Sequence, residues 1–154
     1  MKLIFSILCS LLLTSCPNKS MSDTQESNEI VSLFEGSLLG SGKEGFQKEN
    51  LIISSEKQWQ EFLNKIDSVN KVSSGFKSEI DFKSSIVLVT IDSVRNSGGF
   101  GVKMIALKDE NEKLDVIVNY TGPKPTDMVT MAITQPINIV KIKKTNKEII
   151  FVER

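Results

Sequence analysis

The sequence predicts an α+β fold, a mostly antiparallel β-sheet with one main α-helix packed on it. Residues 55–66 place apolar side chains at helical spacing, whereas residues 86–91 form a nearly continuous β-branched run. Glycine-rich segments divide much of the remaining chain into short apolar stretches. Only the first of these features favours a helix, so most elements are expected to be strands.

The N-terminal residues have the pattern of a signal peptide. Lys2 precedes an apolar run, Leu3 to Leu13, which is too short for the roughly 20 residues that span a bilayer. The run ends in Leu-Thr-Ser-Cys, which resembles the bacterial lipobox, and Cys16 is its cysteine. We therefore expect a lipoprotein signal peptide over residues 1–15 and lipidation of Cys16. The alternative is an ordinary cleaved signal with a chance cysteine near its end.

The remaining chain divides by composition into a tether and one domain. Residues 16–28 contain almost no large apolar side chain, and such a segment cannot bury enough surface to order itself. We expect a flexible tether over residues 16–28 and a single domain over residues 29–154.

Charge and composition exclude several classes of function. The whole chain has 19 basic and 19 acidic residues, so nothing favours binding to nucleic acid. Histidine is absent, and the cysteines, Cys9 and Cys16, belong to the leader and the lipidation site. The commonest general base and metal ligand are therefore missing. We expect no enzyme, no metal and no cofactor.

The first half of the domain predicts two strands and the helix. Residues 30–39 and 46–54 are β-leaning and are separated by a loop containing Gly40, Gly42 and Gly45. Ser55 is the expected helix cap, with Gln58 three residues later. The apolar stripe is expected to face the core and not a ligand, and it comprises Trp59, Phe62, Leu63 and Ile66.

On the opposite helix face, Glu61 is spaced to pair with Lys65.

The second half of the domain predicts strands only. Residues 86–91 should form a central strand covered on both faces. Residues 96–99 contain adjacent glycines and predict a turn. Strands are expected over residues 100–107 and 114–120, followed by a last hairpin that pairs residues 137–142 with 148–152.

Two charged clusters have a functional and a structural interpretation. An acidic group lacks the ligand spacing and glycine of a calcium loop, so a solvated turn is favoured for Asp109, Glu110 and Glu112. A basic group could bind an anion, but protection of an open sheet edge is favoured for Lys141, Lys143, Lys144 and Lys147.

The segment from Thr121 to Met128 contains two prolines and a glycine and leads into apolar residues 128–133. Met128 and Met131 could form an adaptable contact surface for a partner. They could equally fill gaps in the core, and the sequence leaves both interpretations open.

These segments together resemble a known family. The resemblance rests on Gly98-Gly99-Phe100, the Pro- and Gly-rich loop, Met128-Val129-Thr130, and Thr134-Gln135-Pro136 before residues 139–142. They look like the PrcB-type protease-complex subunit family, or PrcB C-terminal domain, over about residues 55–152. The family commonly has a cysteine in the loop before the Val-Thr pair, where this chain has Asp127-Met128.

The resemblance implies a secreted or lipid-anchored accessory domain in the cell envelope, outside the cytoplasm. We expect it to bind another protein, with an envelope protease as the candidate. The expected partner-binding residues are Gly98, Gly99, Phe100, Met128, Met131 and Pro136. The alternative is an envelope domain that binds a small molecule or glycan, and an enzyme acting through carboxylates ranks third.

Overall fold

A computed structural model describes residues 29–154 of the chain, so Cys16, the leader and the tether lie outside the described residues. The elements run in the order β1 (Val31–Leu38), β2 (Glu49–Ile53), α1 (Glu56–Ile66), a 3-10 turn (Val72–Gly75), β3 (Ser85–Ile91), β4 (Gly101–Glu110), β5 (Lys113–Thr121), β6 (Gln135–Lys143) and β7 (Glu148–Glu153). The fold is α+β and mostly β. Within residues 29–154, no helix is long and apolar enough to cross a bilayer.

The strands form two sheets, whereas one was expected. The first has four strands in the order β1-β6-β3-β2, with every neighbouring pair antiparallel. The second has three strands in the order β4-β5-β7, with β7 parallel to β5.

The predicted hairpin of β6 with β7 is therefore wrong. β6 is buried along most of its length and lies between β1 and β3. β7 is only half-buried and forms the edge of the other sheet. Nearness in sequence favoured the hairpin, but burial on both faces places β6 in the middle of a sheet.

The four-stranded sheet is covered on both faces, as predicted for β3. Val87, Val89 and Ile91 face α1 and share one core with it. Ile86 and Leu88 face the second sheet and belong to another core. The molecule is thus a helix layer, a central sheet and an outer sheet.

The helix prediction is confirmed in its cap and its stripe. The Ser55 side chain accepts a hydrogen bond from the Gln58 backbone N–H. The Gln58 side chain reaches back to the N–H of Ser54, at 2.9 Å. Trp59, Phe62 and Ile66 are buried against the sheet.

The expected pair of Glu61 with Lys65 is replaced by other contacts. The Lys65 ammonium lies 4.1 Å from the centroid of the Phe46 ring. Glu61 instead lies 3.9 Å from Lys57 on the exposed face. The Lys65 ammonium thus has a cation–π contact with the Phe46 ring. The aliphatic part of a lysine side chain can lie along apolar residues while its charge stays in water.

Asn138, a buried residue of β6, links the two sheets. Its Oδ1 accepts a hydrogen bond from the Met104 backbone N–H of β4 at 2.9 Å. Its Nδ2 donates to the Phe34 carbonyl of β1 at 3.1 Å. Both backbone groups lie at irregularities in the pairing of their strands, where the ladder shifts register. Asn138 therefore satisfies groups that the interrupted ladders cannot.

A second link between the sheets lies beside the β2 edge. Lys48 and Glu153 form an ion pair at 2.8 Å, and Lys48 also lies 4.3 Å from the centroid of the Tyr120 ring. The hydrogen bond to Glu153 raises the pKa of Lys48, and burial raises the pKa of the Tyr120 phenol. Both partners are half-exposed, so solvent weakens this ion pair.

Candidate protein-binding surface

The segment after β3, residues 92–100, is anchored by a buried carboxylate. The Asp92 side chain is 2 % exposed and accepts two hydrogen bonds from Arg95, at 2.8 and 3.0 Å. The Arg95 guanidinium lies 4.8 Å from the centroid of the Phe100 ring. These contacts fix both ends of the segment, which we call the turn segment.

Gly98 and Gly99 are required in the turn segment for different reasons. Gly99 has a φ of +86°, in the left-handed region that favours glycine. A Cβ at Gly98 would lie 2.3 Å from the Thr130 hydroxyl oxygen, so a side chain there would collide. The predicted turn is present, and of its two glycines only Gly99 has a positive φ.

Residues 122–133, which we call the methionine loop, pack directly against the turn segment. The Gly98 N–H donates to the Thr130 carbonyl at 2.9 Å. Thr134 exchanges two backbone hydrogen bonds with Arg95, and its hydroxyl donates to the Ser97 carbonyl at 3.0 Å. The backbone at this base of the loop therefore has a defined position.

Asp127 closes a turn within the methionine loop. Its carboxylate accepts a hydrogen bond from the Lys124 N–H at 2.8 Å. Its own N–H donates to the Lys124 carbonyl at 3.0 Å. An acceptor side chain at this position stabilises the turn locally.

Met128 and Met131 project from this loop into solvent. Their exposed fractions are 101 % and 99 %, so neither side chain fills a gap in the core. Of the two interpretations left open by the sequence, the structure excludes core packing.

The exposed apolar residues concentrate at this end of the molecule. Among the described residues, nine large apolar side chains are exposed. Six of them lie in three segments, namely the loop after β1, the turn segment and the methionine loop. Leu38 at the end of β1 pairs with Gln135, just after the methionine loop, so these two segments are neighbours. The loop after β1 also adjoins the turn segment, because a Cβ on Gly42 would lie 3.0 Å from the Val94 side chain. We call these six residues the apolar end: Leu39, Val94, Met128, Val129, Met131 and Ile133.

Two of the other predicted partner-binding residues, Phe100 and Pro136, lie behind this surface or inside the fold. Phe100 is half-buried, because Arg95 lies over its ring and the ring edge adjoins Gly122. Pro136 is buried in β6, opposite Ser37 of β1, and does not belong to the exposed surface. The family resemblance grouped the two segments, but the sequence could not separate exposed from supporting residues.

Asp92 and Arg95 were not singled out from the sequence. The sequence did contain an indication of their pairing: the acidic Asp92 directly follows the buried strand β3, and the basic Arg95 lies three residues later. Because a charge at the end of such a strand needs a partner, this spacing indicates a local ion pair.

A separate groove runs between β2, α1 and β7, with a volume of about 590 Å³. Its walls are mainly apolar and include Leu51, Phe62 and Phe151. Polar side chains also line it, namely Glu49, Asn50, Gln58, Glu61 and Lys65. The buried Asn50 Oδ1 has no hydrogen-bond partner among the described residues.

The two charged clusters have local contacts. Lys141 donates to the Glu79 carbonyl at 3.1 Å, and Lys144 donates to the Phe82 carbonyl at 3.0 Å. Lys147 pairs with Asp109. In residues 29–154, no group of three or more acidic or cysteine side chains is arranged to hold a metal ion.

Comparison with known proteins identifies part of this architecture. Residues 86–143 match the family model described as PrcB C-terminal. This segment is similar to the PrcB C-terminal family. No curated protein and no solved structure matches the chain.

The PrcB C-terminal segment begins in β3 and ends in β6, so it contains both the turn segment and the methionine loop. It does not include β1, β2, α1 or β7. The family prediction is confirmed over residues 86–143, and the wider resemblance over residues 55–152 stays a prediction outside that range.

Proposed function

We propose that this chain is an accessory domain of the cell envelope that binds another protein through its apolar end. The observation that carries the proposal is the complete exposure of Met128 and Met131 on a loop whose base is hydrogen-bonded to the turn segment. Because both side chains are fully exposed, neither contributes packing to the fold. Grouped exposed apolar residues mark sites of protein association.

The geometry suits recognition of an apolar partner surface. Methionine side chains are flexible and polarisable, so they adapt to a partner's shape. Pro123 and Pro125 restrict the backbone, and Asp127 closes the turn, so binding would order few new residues. Burial of each methionine contributes about 1.5–3 kcal/mol.

The family supports the class of partner. The PrcB C-terminal match covers five of the six residues of the apolar end, all except Leu39. What the resemblance to the protease-complex subunit family implies is association with an envelope protease. We therefore propose an envelope protease as the partner.

Binding is favoured over catalysis and over glycan recognition. The chain has no histidine, and its cysteines precede the described residues. The groove beside β2 exposes more apolar than polar surface, whereas recognition of a sugar depends mainly on placed polar groups. The apolar end, in contrast, needs only a complementary apolar surface.

The proposed location leads to a prediction about Cys16, which is expected to carry the lipid. Cys16→Ser should move the protein from the membrane fraction to the soluble fraction, because acyl chains anchor through about 0.8 kcal/mol per buried methylene. Metabolic labelling with a fatty acid should mark only the original chain. An original chain that stays unlabelled and soluble would contradict the anchor.

The proposed surface is tested by replacing Met128 and Met131 together with serine. Loss of two buried methionines from an interface should weaken partner binding by about a hundredfold or more, since every 1.4 kcal/mol is tenfold. The melting midpoint should hold, because both side chains are fully exposed. The measurement is affinity capture from solubilised envelopes, followed by titration of the captured protein.

The matched control is Ile105→Ser with Val69→Ser, because these are exposed apolar residues outside the apolar end. It should bind like the original chain. If the methionine variant keeps its melting midpoint and still binds with full affinity, the surface lies elsewhere. A protease among the captured proteins would support the proposed partner, and its absence would argue against it.

A further inference from the structure

The three methionines of residues 29–154 differ sharply in exposure. Met128 and Met131 are 101 % and 99 % exposed, whereas Met104 is 2 % exposed in the core between the sheets. Oxidation of a thioether needs access by the oxidant, so the two loop methionines should react first. Met104 provides an internal reference in the same chain.

We propose that Met128 and Met131 form an oxidation-sensitive modification site that switches off binding at the apolar end. The co-reactant is a peroxide. A lone pair on the thioether sulfur attacks one peroxide oxygen, an S–O bond forms and the O–O bond breaks. Each sulfur loses two electrons to become a sulfoxide, and hydrogen peroxide is reduced to water.

The chemistry changes the surface more than the fold. A sulfoxide places a strong hydrogen-bond acceptor where the thioether offered only apolar contact. An apolar partner surface cannot satisfy that oxygen, so docking would bury an unpaired polar group.

The loop itself should keep its position. Its base is held by the hydrogen bond from Gly98 to Thr130 and by the turn that Asp127 closes, and neither contact uses a thioether. Oxidation is therefore expected to change the affinity of a folded surface and not to unfold it. The inference rests on the proposed function, since it regulates the same surface.

The first experiment needs no partner. The full chain is treated with limiting hydrogen peroxide, and peptides are followed by mass spectrometry. We expect Met128 and Met131 each to gain one oxygen on the order of tenfold faster than Met104, with the melting midpoint unchanged. Equal rates at Met104 and Met128, or an early loss of the fold, would overturn the assignment.

The second experiment measures binding with and without peroxide. Met128→Leu with Met131→Leu is the matched control, because leucine keeps apolar contact but cannot be oxidised to a sulfoxide. We expect peroxide to weaken capture by the original chain at least about tenfold and to leave capture by the leucine variant unchanged.

The outcomes separate the inference from the proposed function. Full capture by the fully oxidised chain would overturn the inference and leave the proposed function standing. Peroxide sensitivity in the leucine variant would place the effect at another residue and also overturn it. A reduced chain that captures no protein would contradict the proposed function, and the switch with it.

Discussion

Replacing Trp59 with alanine is expected to lower the free energy of unfolding by about 3–5 kcal/mol. Trp59 is 7 % exposed and stacks on Phe62, with ring centroids 5.5 Å apart. It also lies 5.6 Å from the Phe76 ring, so it joins α1 to the segment that follows the helix. Truncation would leave a cavity at the centre of the helix layer, where neighbouring aromatic rings cannot collapse freely.

Denaturant titration followed by far-UV circular dichroism measures this loss. Gln60→Ala is the matched control, because Gln60 neighbours Trp59 on the same helix but is exposed, and it should change stability by less than about 0.5 kcal/mol. A loss below about 1 kcal/mol for Trp59→Ala would mean that the helix stripe is not a core contact.

Asn138→Leu is expected to cost about 2–5 kcal/mol, although leucine is similar in size and more apolar. The substitution removes the acceptor of the Met104 N–H and the donor to the Phe34 carbonyl. Each buried polar group left without that partner costs about 1–3 kcal/mol.

Thermal and denaturant unfolding of the variant would measure the effect. Asn64→Leu on the exposed face of α1 is the control for the same chemical change, and it should be nearly neutral. A neutral Asn138→Leu would show that other groups or water satisfy the two strand irregularities.

The sequence predicted the elements better than their arrangement. The helix was recognisable because Ser55, Gln58 and the stripe from Trp59 to Ile66 are local signals within one element. The doubly covered strand was recognisable because Ile86 to Ile91 is apolar apart from Thr90. The division into two sheets depends on which distant strand β6 pairs with, and no local pattern carries that information.

The candidate site was predictable to the same extent. The turn glycines and the proline-rich loop were visible as segments that do not fit a strand or helix. That they contact each other depends on the hydrogen bonds joining Arg95 to Thr134 and Gly98 to Thr130, which span distant parts of the chain. The exposure of Met128 could not be predicted, because methionine is equally suited to a core.

The helix layer has a consequence for the family segment itself. Residues 86–143 contain β3 and β6, whose side chains Val87, Val89 and Ile139 are covered by elements outside that segment. Cut from its surroundings, the segment would leave one whole face of its sheet open to water. The segment therefore needs another element to cover that face, from the same chain or from another molecule. In this chain α1 covers it.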